Sequence, residues 1–260
     1  MSTRDPSARV TPVNDLPMHG AMTTDVTAPA CALAIGAHPD DIEFGCGGTL
    51  AKWASLGTVI HHLVLTDGGK GSWDPERNEA SLIALRQDEQ RRAAQMLGGG
   101  EVGFLGYPDG ELRNGVRQQW DVSRWIRMVR PDMVLTHDPW RRYRLHPDHR
   151  NAGFIVTDAI VAARDPHFFA DQGLPPHRPD ALLLWEADEP NHVEDVSAFV
   201  ETKIAALMAH KSQLESTMGI DDAGLEATAE FSHRVHTQLA DHGALAGLPL
   251  GESFRLITET

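Results

Sequence analysis

The chain has 260 residues, of which 41% are hydrophobic and 23% are charged, and its formal net charge is −14 at pH 7. This composition is typical of a globular protein, and the acidic charge argues against nucleic acid and anionic membranes as partners. No apolar run approaches the roughly 20 residues of a membrane span, no secretory signal opens the chain, and two cysteines favour a cytoplasmic location over a disulfide framework.

The chain begins with residues 1–28, which are rich in Ser, Thr, Pro and Asp and are predicted to form a mobile tail. Residues 29–260 are predicted to form a single domain. Short apolar runs predict strands at 32–36, 58–65, 102–105, 132–136, 181–185 and 253–258. Helical periodicity predicts helices at 45–57, 76–97, 116–129, 151–163, 196–214 and 223–240. This alternation predicts an α/β fold with a mostly parallel sheet and helices on both faces.

Two nearly identical segments, His38–Asp41 and His146–His149, carry metal-ligating and proton-transferring side chains. Each follows a predicted buried strand. Because the carboxyl ends of parallel strands lie at one edge of a sheet, we expect the two segments to meet in one site.

Three side chains of these segments fit a catalytic metal. Zinc in hydrolases is commonly held by three histidine or carboxylate ligands, and one position is left for water. His38, Asp41 and His149 supply such a set. Zn²⁺ is the predicted cofactor, and Fe²⁺ or another divalent metal suits the same ligands.

The remaining polar residues of the two segments suggest hydrolysis. A metal lowers the pKa of water from about 15.7 toward 7, and Asp40 can accept the proton as a general base. His146 can stabilise the resulting oxyanion or protonate the leaving amine, and Asp148 can orient that imidazole.

Other interpretations of these residues are weaker. A single HPD segment after a strand often only caps a helix. Cys46 is a conceivable nucleophile, although a small buried cysteine is the usual case. The glycines of Gly45–Gly48 lack dinucleotide-binding spacing and favour close packing beside the metal loop.

The sequence resembles the PIG-L/LmbE-like family of metal-dependent N-acetylglucosaminyl deacetylases. The resemblance rests on AHPDDIEFGCGGTLA at 37–51, LTDG at 65–68, Arg86 and Glu89, YPDG at 107–110, HPDH at 146–149 and KIAALMAHKSQ at 203–213. It implies a Rossmann-like fold, zinc held by His38, Asp41 and His149, Asp40 as base and His146 as the acid. Family members remove acetyl groups from N-acetylglucosamine units, and some relatives cleave other amides.

Four positions are expected to contact the substrate. Arg86 and Asp109 match family positions at the sugar-binding edge. The loop before the second segment offers Tyr143 and Arg144, which can stack on a sugar ring and bind an anionic group. The alternatives are a surface arginine, a turn aspartate and a solvated loop. Some relatives use a tyrosine two residues before His146 to polarise the amide, but this chain has Arg144 there.

We therefore expect a zinc-dependent hydrolase that removes an acyl group, most simply acetyl, from the amide nitrogen of an N-acetylglucosamine derivative. The alternatives are an amidase acting on a thiol or amino conjugate in secondary metabolism, and a metal-binding protein without turnover. The expected partner is a small amino sugar, and a homo-oligomer is compatible with the sequence.

Overall fold

The computed structural model describes residues 22–220 and 224–260. The strands are β1 (Thr23–Thr24), β2 (Cys31–Gly36), β3 (Val59–Thr66), β4 (Val102–Tyr107), β5 (Met133–His137), β6 (Ala181–Trp185), β7 (His192–Asp195) and β8 (Gly251–Ile257). The helices are α1 (Asp41–Ser55), α2 (Glu79–Met96), α3 (Val116–Val129), α4 (Pro147–Arg164), α5 (Val200–Met208) and α6 (Leu225–Ala244).

The strands form one sheet in the order β1-β7-β8-β6-β5-β2-β3-β4. All neighbouring strands run parallel except β8, which is antiparallel to both β6 and β7. The predicted α/β fold with a mostly parallel sheet is therefore confirmed.

Side chains of the central strand β2 alternate between two hydrophobic layers. Ala32 and Ala34 pack in a cluster that includes Ile42 and Trp53 of α1, whereas Leu33 joins the opposite cluster with α3 and α4. This alternation is the two-residue period of a strand, and burial of both faces explains why the strands read as continuous apolar runs.

Several element boundaries differ from the predictions. Helix α4 begins at Pro147 instead of residue 151, so the second HPD segment forms its first turn. The predicted helix at 196–214 is split into α5 and a 3-10 turn at Lys211–Gln213. Strands β1 and β7 were not predicted, because they are short and lack apolar alternation.

Most of the tail predicted at residues 1–28 lies outside the described residues. Its last part runs along the sheet, where Thr23 and Thr24 pair with His192 and Val193. Within the described ranges, no helix is both long and apolar enough to cross a bilayer.

The strand order reverses between β2 and β5, which lie side by side at the centre of the sheet. Ligands in open α/β sheets bind at this position, beyond the carboxyl ends of the strands. The loops that follow β2, β3, β4 and β5 all begin at this edge, so the fold brings the two HPD segments together.

The glycines after the first HPD segment allow α1 to pack closely on its neighbours. A Cβ at Gly45 would lie 2.4 Å from the Trp185 ring, and one at Gly48 would lie 2.9 Å from Val196 Cβ. Cys46 lies between them, fully buried, and burial raises the pKa of its thiol well above the usual range. The structure thus supports the packing interpretation and excludes Cys46 as a nucleophile.

A buried ion pair joins α1, α5 and β8. Lys203 Nζ donates hydrogen bonds to Glu252 Oε1 at 2.6 Å and to the Phe44 carbonyl at 2.7 Å. The Glu252 carboxylate also accepts the backbone N–H groups of Gly48 and Thr49 at 2.9 and 2.7 Å. These bonds hold α1 where its backbone kinks at Cys46.

We expect Lys203→Met to lower the free energy of unfolding by about 3–5 kcal/mol, because it leaves the Glu252 carboxylate buried without its cation. Chemical denaturation of the metal-free protein measures the change. The exposed Lys211→Met is the matched control and should differ little from the wild type. Equal stability of the two variants would contradict the predicted role of the pair.

Candidate active site

The two HPD segments face each other across a cavity of about 340 Å³ at the switch point of the sheet. The cavity is lined by His38, Asp40, Asp41, Lys70, Gly71, Arg86, Asp109, Gly110, His146, His149, Gln213 and Thr217. All three predicted metal ligands, the predicted base and His146 are therefore in one place, as are two of the four predicted substrate contacts.

The Asp41 carboxylate lies between the other two predicted ligands. Its Oδ1 is 3.3 Å from His149 Nε2, and its Oδ2 is 3.3 Å from His38 Nδ1. Burial opposes ionisation, but attraction and hydrogen bonds from His149 and His137 hold the pKa of Asp41 well below its usual range. Donor atoms of Asp41, His137 and His149 lie within 4.8 Å of one another, and so do those of His38, His146 and His149. The three predicted ligands therefore belong to two overlapping groups of imidazoles and a carboxylate that suit a divalent metal.

His38 is held by two further carboxylates. Its Nε2 lies 3.2 Å from both Asp109 Oδ1 and Asp148 Oδ2. Carboxylates in this position commonly accept the second N–H of a metal-binding histidine, which fixes the tautomer and orients the ring. The arrangement leaves Nδ1, on the side of Asp41, as the nitrogen of His38 that could hold a metal.

The sequence suggested that the Asp148 carboxylate orients His146, but in the structure this carboxylate contacts His38. Because α4 begins at Pro147, Asp148 lies in the first turn and points toward the loop after β4. There it is fully buried, contacts His38, and accepts the backbone N–H groups of Gly110 at 2.7 Å and Leu112 at 3.2 Å.

Asp40 is buried in the same cavity, and its Oδ2 lies 3.4 Å from Arg86 Nη2. Its backbone adopts the left-handed region with φ of 102°, and its N–H donates to Gln90 Oε1 at 3.0 Å. Burial, partly offset by the nearby Arg86 guanidinium, raises the pKa of Asp40 to about 6. A carboxylate with a pKa near neutrality is well suited to accept a proton.

Arg86 is more deeply placed than the sequence suggested. Its guanidinium donates to the carbonyls of Pro39 and Gly68 at 2.7 and 2.8 Å and lies 3.4 Å from Asp40 Oδ2. Arg86 lines the cavity, yet its hydrogen bonds support the loop that carries Asp40. A contact between Arg86 and substrate stays a prediction.

His146 is the N-cap of α4, and its Nδ1 accepts the Asp148 backbone N–H at 3.3 Å. Its ring stacks on His149 at 4.5 Å. Burial lowers the pKa of His146, and His38 and His149 lower it further, so the neutral form with its proton on Nε2 is favoured. Nitrogen atoms of His38, His146 and His149 lie within 4.8 Å of one another, so a ligand role competes with the predicted acid role.

The two residues of the loop before His146 that were expected to contact substrate do not line the cavity. Tyr143 is 94% exposed, outside the cavity. Arg144 turns inward instead and is 8% exposed. Its Nη2 donates a 2.5 Å hydrogen bond to Glu186, which holds the guanidinium beside the Nδ1 atoms of His137 and His149. Its Nη1 is 3.3 Å from His149 Nδ1. Arg144 therefore supports the site from behind and is not positioned to bind an anionic substrate group.

Sequence reasoning missed His137, the last residue of β5. It is 1% exposed, its ring stacks on His149 at 4.4 Å, and its Nε2 lies 3.2 Å from Asp41 Oδ2. The only available signal was its position directly after a predicted strand, at the edge where both HPD segments begin.

Comparisons with known proteins point to one family. A family profile described as "PIG-L: GlcNAc-PI de-N-acetylase" matches residues 33–160. The chain is 37% identical to a diacetylchitobiose deacetylase of Thermococcus kodakarensis over 184 residues, which cover 70% of this chain and 69% of the relative. It is 29% identical over 239 residues to a 1D-myo-inositol 2-acetamido-2-deoxy-alpha-D-glucopyranoside deacetylase of Saccharomonospora viridis, covering 73% of this chain and 86% of the relative.

A solved structure is similar to this chain in both fold and sequence. N,N'-diacetylchitobiose deacetylase from Pyrococcus horikoshii, complexed with its inhibitor MPG, superposes with a TM-score of 0.80 at 29% identity. The match covers 88% of this chain and 84% of that chain.

We expect His38→Ala, Asp41→Ala and His149→Ala each to lose bound metal, whereas the control His146→Ala keeps it. Elemental analysis after dialysis measures occupancy. Metal at 100 times its Kd should stabilise the wild type by about 2.7 kcal/mol and the three ligand variants by much less. Full occupancy in all three would refute the ligand set, and metal loss in His146→Ala would make His146 a ligand.

Proposed function

Because the chain belongs to the PIG-L family, we propose that it is a metal-dependent deacetylase that hydrolyses the acetamide of an N-acetylglucosamine derivative. The observation that carries the proposal is a single cavity that is lined both by a set of metal-ligating side chains and by a separate buried carboxylate, Asp40. The relatives named as deacetylases of acetylated amino sugars support the substrate class. We propose the cytoplasm as the site of the reaction.

The proposed metal ligands are His38 Nδ1, the Asp41 carboxylate and His149 Nε2. Zn²⁺ is the proposed ion, and Fe²⁺ suits the same donors. When bound, the metal would polarise the acetamide carbonyl and lower the pKa of water. Carboxylates next to His38 and the buried position of Asp41 keep these donors in place without the substrate.

Asp40 is the proposed general base. It lines the cavity, its backbone is held by Gln90, and its pKa of about 6 leaves most of the carboxylate ionised at neutral pH. It would accept a proton from the attacking water and later pass it to the leaving amine. A protein that only stores metal has no need of this second carboxylate, so Asp40 favours hydrolysis over binding alone.

His146 is the proposed oxyanion donor. Because its Nδ1 accepts the Asp148 backbone N–H, its own proton lies on Nε2, and a neutral imidazole can donate that proton in a hydrogen bond. The tetrahedral oxyanion formed from the acetamide would be stabilised in this way.

The sugar would bind in the same cavity. Asp109 and Arg86 border it, and we retain both as proposed contacts for sugar hydroxyl groups. The exposed Tyr143 can contact the part of the substrate that extends beyond the cavity.

Release of amine from acetylated amino sugars tests the proposed function. N-acetylglucosamine, N,N'-diacetylchitobiose and an inositol-linked N-acetylglucosamine are incubated with metal-loaded protein, and free amine and acetate are both measured. Equal amounts of the two products are expected, and metal-stripped protein should release neither. If the metal-loaded protein releases no amine from any of these compounds, the proposed substrate class is wrong.

Asp40→Asn should keep its metal but lose roughly 10²–10⁴ in kcat, because Asn cannot accept the proton. Asp138→Asn is a suitable control, since Asp138 follows β5 at the same edge of the sheet but accepts hydrogen bonds from the backbone N–H groups of Trp140 and Asp188 and is not part of the lining of the site cavity. Unchanged turnover in metal-loaded Asp40→Asn would remove Asp40 from the mechanism.

A further inference from the structure

His137 is a buried histidine at the proposed metal site that is not among the proposed ligands. Strands β5 and β6 pair in a register that places His137 beside Trp185. Gly45 leaves space for the indole ring, which meets the imidazole edge-on at 4.8 Å. The position of His137 is therefore set by the packing of the sheet against α1.

The hydrogen bonds of His137 define its tautomer. Trp185 Nε1 lies 3.0 Å and Arg144 Nη1 lies 3.2 Å from His137 Nδ1. Indole and guanidinium groups only donate, so Nδ1 must be an acceptor and the proton of the neutral ring is on Nε2. The Ala37 N–H is 3.4 Å from Nε2, which is a longer contact than either of those at Nδ1.

The protonated Nε2 of His137 faces the Asp41 carboxylate and donates to Oδ2 at 3.2 Å. The same oxygen accepts the His38 backbone N–H at 2.7 Å. One donor follows β2 and the other ends β5, and together they fix the rotation of the Asp41 carboxylate. Its Oδ1 then lies next to His149 Nε2.

A direct ligand role for His137 is disfavoured by the same contacts. Binding a metal through Nε2 would move the ring proton to Nδ1, where two N–H donors already point. The shorter of these contacts is the Trp185 Nε1–H at 3.0 Å, whereas Arg144 Nη1 is shared with His149 Nδ1 at 3.3 Å.

We propose that His137 is a positioning residue that holds the Asp41 carboxylate in its metal-binding orientation, and that Trp185 and Arg144 fix the tautomer it needs. The inference rests on Asp41 being a ligand, as in the proposed function. Outer partners of this kind commonly change metal affinity by about 10–100-fold.

Two substitutions separate the hydrogen bond from the packing. His137→Phe keeps a ring stacked on His149 but removes the donor, whereas His137→Gln keeps an N–H donor near the position of Nε2. Zn²⁺ affinity is measured by competition with a chelator. We expect about 10–100-fold weaker binding in His137→Phe and binding close to that of the wild type in His137→Gln.

The Co²⁺ absorption spectrum of each variant provides the second readout. A positioning role predicts wild-type coordination bands in Co²⁺-loaded His137→Gln. Wild-type Zn²⁺ affinity in His137→Phe would overturn the proposal. Equal loss of affinity in both variants with an altered Co²⁺ spectrum would also overturn it, because that result marks His137 as a ligand.

Two further variants keep the test decisive. If His137→Phe does not fold, His137→Met replaces it, since Met resembles Gln in size but has no donor. Asp41→Ala distinguishes this inference from the proposed function in the same competition assay. If Asp41→Ala binds Zn²⁺ like the wild type, the proposed ligand set fails; if it loses Zn²⁺ while His137→Phe does not, only the role of His137 fails.

Discussion

The site depends on the Asp41 carboxylate. This ionised group is buried at the edge of the sheet where the loops after β2, β3, β4 and β5 begin. A buried charge is costly unless it is paired and hydrogen-bonded. Here His38, His137 and His149 surround it, and the His38 backbone N–H donates at 2.7 Å. These histidines come from three separate segments, so the requirement to compensate one carboxylate explains why the segments converge on one point. A metal at this point would meet donors that are already assembled.

Asp40 and Asp41 are adjacent in sequence but have different environments. The left-handed backbone of Asp40 turns its side chain toward Arg86, while Asp41 turns toward the histidines. Such a conformation costs a non-glycine residue about 1–3 kcal/mol, and Gln90 and Arg86 hold the loop in it. The pKa of Asp41 falls and that of Asp40 rises to about 6. Two carboxylates whose pKa values are moved apart can divide the tasks of ligand and base.

The proposed ligands are each held by defined neighbouring side chains. Asp109 and Asp148 contact His38, and Arg144 approaches His149 from behind while bonded to Glu186. These partners come from the segments that follow β4, β5 and β6. The shape of the site is consequently a property of the sheet edge, because moving the end of β4, β5 or β6 would displace a partner of a proposed ligand.

The sequence by itself determined the α/β class, the family and most of the charged residues and histidines that meet in the cavity. Apolar runs and helical periodicity are local signals that can be read from the sequence. Because parallel strands end at one edge of the sheet, the meeting of the two HPD segments can be predicted even though the directions of their side chains are unknown. Tertiary structure decided the partner of each side chain. Asp148 contacts His38 because α4 begins at Pro147, and Arg144 turns inward because Glu186 accepts its hydrogen bond. His137 acquires its partners through the register of β5 with β6. Such choices depend on contacts between distant parts of the chain, and residue spacing carries no information about them.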